Sequence, residues 1–426
     1  MSTSLGFGFG PSLRSVARRA ADVLRRRADP VLTRVVPLTT AGPVRGTALV
    51  AHLVEGVMLR DDDPLLHTHN HFFEARSIAA CLLERGYTVD FISFLNREFV
   101  PRKRYDVFFS ARTNFERIAK RLNPDCVKIV HLDTSHWLYN NHAALERLSD
   151  VRDRRGVALT SYTRIEQNRG VEAADCATLL GNEFTYRTYA FARKAVFQLP
   201  NPGTTAYPWD DTKDFDSCRN RFLWLGSSGL VHKGLDLALE AFARMPNLHL
   251  TVCGPIERDS HFVEAFRKEL YETPNIDTRG WTDITSPDFI ALAGRTIAHV
   301  YPTCADACCG SVINCMHSGL IPVTTPPAGI DIDPSFGLVF PELTVDAVQH
   351  AVRSVAELPA DKLAAMSRAS YEEARRVYSR QRYEEVFGAA LDQILADGSR
   401  ALVPGFVRMD GVGGSTAHHL ASEKFA

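Results

Sequence analysis

The sequence predicts an α/β protein made of two doubly wound parallel sheets, Rossmann-like domains facing each other across a cleft. Three observations carry this. From about residue 45 short apolar runs alternate with amphipathic stretches. The alternation falls into two successive series, each in the strand-helix order of a parallel sheet. Between them lies LPNPGTTAYPWDDTKD, whose Pro, Gly, Thr and Asp content reads as a link.

Before the first series comes a basic arm over residues 1–45. In SLRSVARRAADVLRRRADPVLTR, Leu13, Val16, Ala17, Ala20 and Leu24 share a helical stripe flanked by Arg14, Arg18, Arg19, Arg25, Arg26 and Arg27. That pattern suits an interfacial helix drawn to anionic lipid, a solvated and partly disordered arm, or a transit-peptide-like leader. The first series reads as buried strands in TALVAHLV, YTVDFISF, YDVFFSA, CVKIVHLD and CATLLG, with helices such as FFEARSIAACLLERG and RIAKRL between them. The second runs through RFLWLG, LHLTVCG, the strand before GWTD, TIAHVYPT and LIPVTT, separated by helices such as LDLALEAFARM and HFVEAFRKELYE. The expected partition is a first domain over 46–205, a second over 206–379, a helix over about 380–396 returning to the first, and a tail over 397–426.

Bulk properties narrow the function. The 426 residues suffice for two domains, and 45% hydrophobic with 23% charged residues is an ordinary globular composition. A net charge of −1 excludes a chain-wide nucleic-acid footprint. The nine cysteines are odd in number and scattered, and no secretory signal accompanies them, which points to a reducing cytoplasm. No apolar run reaches the length of a membrane span, so attachment to a membrane would be peripheral.

Chemistry concentrates between Arg221 and Asp333. The strand RFLWLG enters a loop of small residues, Gly226, Ser227, Ser228 and Gly229, that ends in Lys233-Gly234. Further on, ADACCGSVIN opens a short helix carrying Asp306, Gly310, Ser311, Val312 and Asn314. Backbone amides, a positive helix end and a lysine are what a phosphate requires. In the first half, His131 and Asp133 sit at the end of a strand with His136 close behind, where doubly wound sheets place ligands. His67, His69 and His71 alternate, and on an extended segment they would point one way and could hold a metal with His131 and Asp133. That supports a rival reading, a metal-dependent hydrolase. Asn70 reads as a helix cap. Cys304, Cys308, Cys309, Cys315 and His317 fit no common zinc spacing.

The second half resembles the nucleotide-sugar-binding half of GT-B glycosyltransferases, in particular the retaining family four. The resemblance rests on RFLWLGSSGLVHKGLDLALEAFARMPNLHLTVCGP, NIDTRGWTD and TIAHVYPTCADACCGSVINCMHSGLIPVTTPPAGID in that order, and more loosely on ADCATLLGNEFTYRTY and LPNPG in the first half. It covers roughly residues 45 to 395. It implies that Lys233 and the amides at Gly310-Ser311 neutralise a departing diphosphate, that Asn314 holds the ribose, and that Asp306 faces the donor sugar. It also implies acceptor-side or phosphate-side roles for His69, Asn70 and His71, and that one of His131, Asp133 and His136 lines the cleft. The family carries two glutamates where this chain has Asp306 and Asn314, and an arginine in the loop where Ser227 and Ser228 stand. The implied function is a cytoplasmic glycosyltransferase, retaining and without metal or other cofactor, acting on a saccharide or lipid-linked acceptor in polysaccharide or glycolipid assembly. Its basic arm would touch the inner face of the plasma membrane. The departures motivate an alternative, an impaired glycosyltransferase-like protein that binds the nucleotide without turnover.

Overall fold

The computed structural model describes residues 30–409 apart from residues 61, 64, 65, 67, 68 and 206. The arginine-flanked stripe of the arm and His67 lie outside the described residues, as does the chain after residue 409.

The strands are β1 (Val35–Leu38), β2 (Gly46–His52), β3 (Tyr87–Ser93), β4 (Val107–Ala111), β5 (Val127–Leu132), β6 (Cys176–Leu180) and β7 (Ala195–Leu199). They continue with β8 (Arg221–Leu225), β9 (His249–Cys253), β10 (Ile276–Gly280), β11 (Ala298–Tyr301), β12 (Ile321–Thr324), β13 (Leu338–Val339) and β14 (Gly405–Val407). Two sheets result, ordered β1-β3-β2-β4-β5-β6-β7-β14 and β10-β9-β8-β11-β12-β13. Every pairing is parallel except β1 with β3. Strand order reverses between β2 and β4 in one sheet and between β8 and β11 in the other, the crevices where such sheets hold ligands.

Parallel sheets bury both faces, and the cores show it. In β8, Phe222 and Trp224 enter one apolar cluster while Leu223 and Leu225 enter another. In β4, Phe108 and Phe109 likewise point to opposite cores. Most of the central strands therefore appear in the sequence as largely apolar runs; β10, IDTRG, does not. The fold class read from the sequence is the one observed.

Seven helices matter here: α1 (Asn70–Glu84), α2 (Trp137–Arg155), α3 (Leu235–Ala243), α4 (Gly310–His317), α5 (Val345–Ala356), α6 (Ala360–Val377) and α7 (Arg380–Ala401). Helix α5 shows the local logic. Thr344 caps it by accepting from the Ala347 amide at 3.1 Å, and Val345, Val348 and Val352 bury one face against the second sheet's core.

Two helices cross between the halves. From α7, Tyr383, Phe387 and Leu391 join the core of the first sheet, and Asp392 accepts from Arg85 Nε and Nη2 at 2.7 and 2.8 Å. In exchange, α2 follows β5 in the chain yet places Leu148 and Val151 in the core of the second sheet. Its basic end forms buried ion pairs there. Arg147 and Arg154 both bind Asp236 Oδ2 at 2.6 Å, and Arg155 binds Glu269 at 2.6 Å.

The structure departs from the sequence reading at several places. Strand β7, between β6 and β14, was not among the predicted strands. Residues 35–38, read as part of the arm, form the antiparallel edge strand β1. Residues 405–407, read as tail, add β14 beside β7. The link is not a loose connector: the Gly203 amide donates to Tyr378 O at 2.8 Å, and Asn201, Gly203 and Thr204 are buried. Among the described residues no helix is long and apolar enough to cross a membrane.

Candidate functional site

A cavity of about 470 Å³ opens between the carboxyl ends of the two sheets. Its second-half wall begins where β8 ends. The chain turns through Gly226, Ser227 and Ser228, all at the cavity, and returns with Lys233, whose Nζ donates to Ser227 Oγ at 2.9 Å. Trp224 Nε1 donates to the Lys233 carbonyl at 3.1 Å, which anchors the lysine backbone. Gly234 has φ +69°, and a Cβ there would lie 2.1 Å from Pro302 O. Only glycine lets the loop close at this point.

The neighbouring wall grows from β11. Tyr301 ends that strand and donates its hydroxyl to Asp306 Oδ2 at 3.5 Å, while Asp306 Oδ1 accepts the Ala307 amide at 3.1 Å. Helix α4 starts at Gly310 and has no side-chain cap from Cys309. The amides of Gly310, Ser311 and Val312 therefore have no partner inside the helix, and its positive end lies at the cavity beside Asp306. Val312 is fully buried in the core and does not line the cavity, so of these amides it is those of Gly310 and Ser311 that sit at its wall.

Asn314 also lines the cavity, but its carboxamide oxygen is occupied. Thr204 donates to it through both its amide and its hydroxyl, each at 2.9 Å. Only Nδ2 remains for a ligand, so Asn314 can donate a hydrogen bond into the cavity but not accept one there.

On the first-half wall His69, Asn70, His71 and Asp133 reach the cavity. The helix cap is His69 and not Asn70. His69 is extended (φ −151°, ψ 134°) and its Nδ1 accepts the His71 amide at 3.2 Å, whereas Asn70 is already helical. Asn70 donates instead to Asn201, and Asn201 donates to the Cys308 carbonyl at 2.6 Å, linking both walls. Of the three strand-end candidates, Asp133 alone lines the cavity, and it is ion-paired with Arg112. His136 is buried among Trp137, Tyr189 and Phe191. His131 is fully buried below the wall, its Nδ1 2.9 Å from Thr178 Oγ1.

The histidine-based metal site of the hydrolase reading does not assemble as expected. His71 is in the first turn of α1, so the extended alternation ends at His69, and Asp133 is taken by Arg112. His131 converges instead with His52, at the end of β2, and Glu74 of α1, with ligand atoms within 4.8 Å of one another. Burial pushes Glu74 up to about 8 and both His52 and His131 down to about 3, so all three are neutral near pH 7. The nine cysteines are free and buried, and among the described residues those near α4 form no cluster of potential metal ligands.

Among the cavity residues to which the sequence reading gave no role are Arg258, after β9, and Trp281, which lies in the GWTD motif after β10 and is 71% exposed. Each follows a strand end within a few residues, which is the signal that could have found them. Arg258 has no ion-pair partner among the described residues and adds a second cation beside Lys233.

No family model matches the chain, and no curated protein matches it in sequence. Solved structures do. Sucrose-phosphate synthase from Thermosynechococcus elongatus matches with a TM-score of 0.56 and 13% identity, over 83% of this chain and 99% of that one. Anabaena HepE in complex with UDP matches with a TM-score of 0.51 and 10% identity, over 82% of this chain and all of that one (100%). TarM matches with a TM-score of 0.46 and 12% identity over 67% of this chain, which spans 54% of TarM's length. At such identities the likeness is one of fold, two Rossmann-like domains facing across a cleft.

Proposed function

We propose that this chain, which has the GT-B fold, is a glycosyltransferase moving a sugar from a nucleoside diphosphate sugar to an acceptor hydroxyl. The observation that carries the reading is the convergence of Lys233, Arg258 and the first-turn amides of α4 on one cavity at the strand-order reversal. A departing diphosphate develops negative charge, and fixed cations with preoriented amides stabilise it without reorganisation. Arg258 takes the part of the arginine that the Ser227-Ser228 loop lacks. Asp306 faces the donor sugar, Asn314 Nδ2 donates to the ribose, and Trp281 offers a face to the base.

The acceptor enters along His69, His71 and Asp133. Because Asp133 is paired with Arg112, the acceptor's proton passes to the leaving phosphate oxygen, which supports front-face attack and retention. The acceptor is a saccharide or a lipid-linked saccharide. Contact of the arginine-flanked arm with anionic lipid belongs to the same proposal.

Calorimetry against UDP, GDP, ADP and dTDP, without added metal, tests the reading. HepE was solved with UDP, so UDP comes first. One nucleotide binds, and Lys233→Ala weakens it by about ten-fold or more, equivalent to about 1.4 kcal/mol. Failure of all four to bind removes the reading. A second reading, donor binding without turnover, is favoured by the occupied oxygen of Asn314. It predicts affinity for the sugar nucleotide with no release of nucleoside diphosphate when acceptor is added.

A further inference from the structure

We infer that His52, Glu74 and His131, with His71 as fourth ligand, bind one divalent transition-metal ion of the zinc class beneath the acceptor wall. This departs from the expectation of a metal-free chain, and it does not rest on the proposed donor chemistry.

The three residues come from separate elements, the end of β2, the second turn of α1 and β5, and meet where the first sheet's strand order reverses. Glu74 is 0% exposed and neither of its oxygens has a hydrogen-bond partner. His131 Nε2 and His52 Nδ1 are also buried without partners. A buried carboxyl with both oxygens unpartnered, grouped with two buried imidazoles that each keep an unpartnered nitrogen, is an arrangement that a cation completes, the carboxyl giving up its proton as the ion binds.

The surroundings fit the ion. Thr178 Oγ1, 2.9 Å from His131 Nδ1, can hold the tautomer whose Nε2 lone pair faces the cluster, as partners of metal-bound histidines do. Glu74 Oε2 lies 4.0 Å from His52 Nε2 and 3.6 Å from His71 Nε2. Tetrahedral ligands with bonds of about 2.0–2.1 Å stand roughly 3.4 Å apart, so the group of three, whose ligand atoms lie within 4.8 Å of one another, closes in on binding, and His71, already 3.6 Å from Glu74 Oε2, turns towards it. Three imidazoles and a carboxylate suit zinc, cobalt or nickel rather than magnesium or calcium. The nearest cation, Arg112, is already paired with Asp133. Entry is from the cleft, where the His71 side chain is 28% exposed. The bound ion would fix the first turn of α1, and with it His69 and Asn70, against the sheet.

The test uses the full chain, stripped by chelator and titrated with Co2+. The expected result is one Co2+ per chain, with the strong visible absorption of a four-coordinate site, displaced by Zn2+. Glu74→Gln and His52→Gln should each abolish the band in protein whose far-UV spectrum is unchanged. Thr178→Val should weaken Co2+ binding about 10- to 100-fold. Should the variants misfold, the wild-type titration and the metal content of freshly purified protein still decide. Absence of both the band and any stoichiometric metal overturns the proposal, and so does a band that survives both substitutions.

Discussion

Thr204 donates two hydrogen bonds to a single oxygen, Asn314 Oδ1, each 2.9 Å long. This pair ties the segment between the sheets to helix α4 and so holds the donor wall in register. Asn314→Leu leaves two buried donors unpaired and should cost about 2–3 kcal/mol. Asn314→Asp keeps the acceptor and should stay close to wild type. Urea denaturation of both variants checks this, and equal losses would refute the assignment.

Arg258 stands at the cavity without an acidic partner among the described residues. Arg258→Ala should weaken binding of the preferred nucleoside diphosphate about ten-fold, with a smaller effect on the monophosphate. The salt dependence of binding should also flatten. Unchanged affinity in calorimetry would take Arg258 out of the donor site.

Asp236 is fully buried and binds two arginines, of which Arg147 has a side chain only 3% exposed. Removing the carboxylate strands a buried guanidinium. Asp236→Ala should therefore lose about 3–5 kcal/mol, while Asp236→Leu with Arg147→Met should recover most of it. Denaturant midpoints of the two constructions distinguish a stranded charge from a simple cavity.

His299 is fully buried in β11, with its Nε2 3.2 Å from the Leu225 amide nitrogen and 3.3 Å from the Leu225 carbonyl oxygen. Burial lowers it from 6.5 to about 4. Between those values the unfolded chain binds more protons, so the contribution of this residue to stability is complete above pH 6.5 and declines as pH falls towards about 4. The loss amounts to roughly 3 kcal/mol. His299→Gln should shrink the stability difference between about pH 7.5 and about pH 4 by that amount. An unchanged difference in urea melts would show that another group carries it.

Local chemistry was legible in the sequence and long-range convergence was not. Strands β2 to β6, β8, β9, β11 and β12 could be read because each is a largely apolar run bounded by turn residues; β10, IDTRG, was placed only by the GWTD turn that follows its start, and β7, AVFQL, was not read. β1 contains Pro37 and is half exposed, β13 has two residues and β14 three, so these depend on neighbouring strands more than on a pattern of their own. Lys233 and Asp306 could be found because strand end, loop and helix start follow one another in the chain. His52, Glu74 and His131 share no spacing, and only the sheet brings them together. Asn314 was placed by its position in a motif, yet nothing in that motif indicates that Thr204 occupies its oxygen.

The exchange of helices also bears on how the molecule comes apart. Each half lends the other part of its interior: α2 gives Leu148 and Val151 to one core, and α7 gives Tyr383 and Phe387 to the other. Neither half can melt without opening the core of its neighbour. Calorimetry should therefore record one cooperative transition for the whole chain, where two separately stable domains would give two.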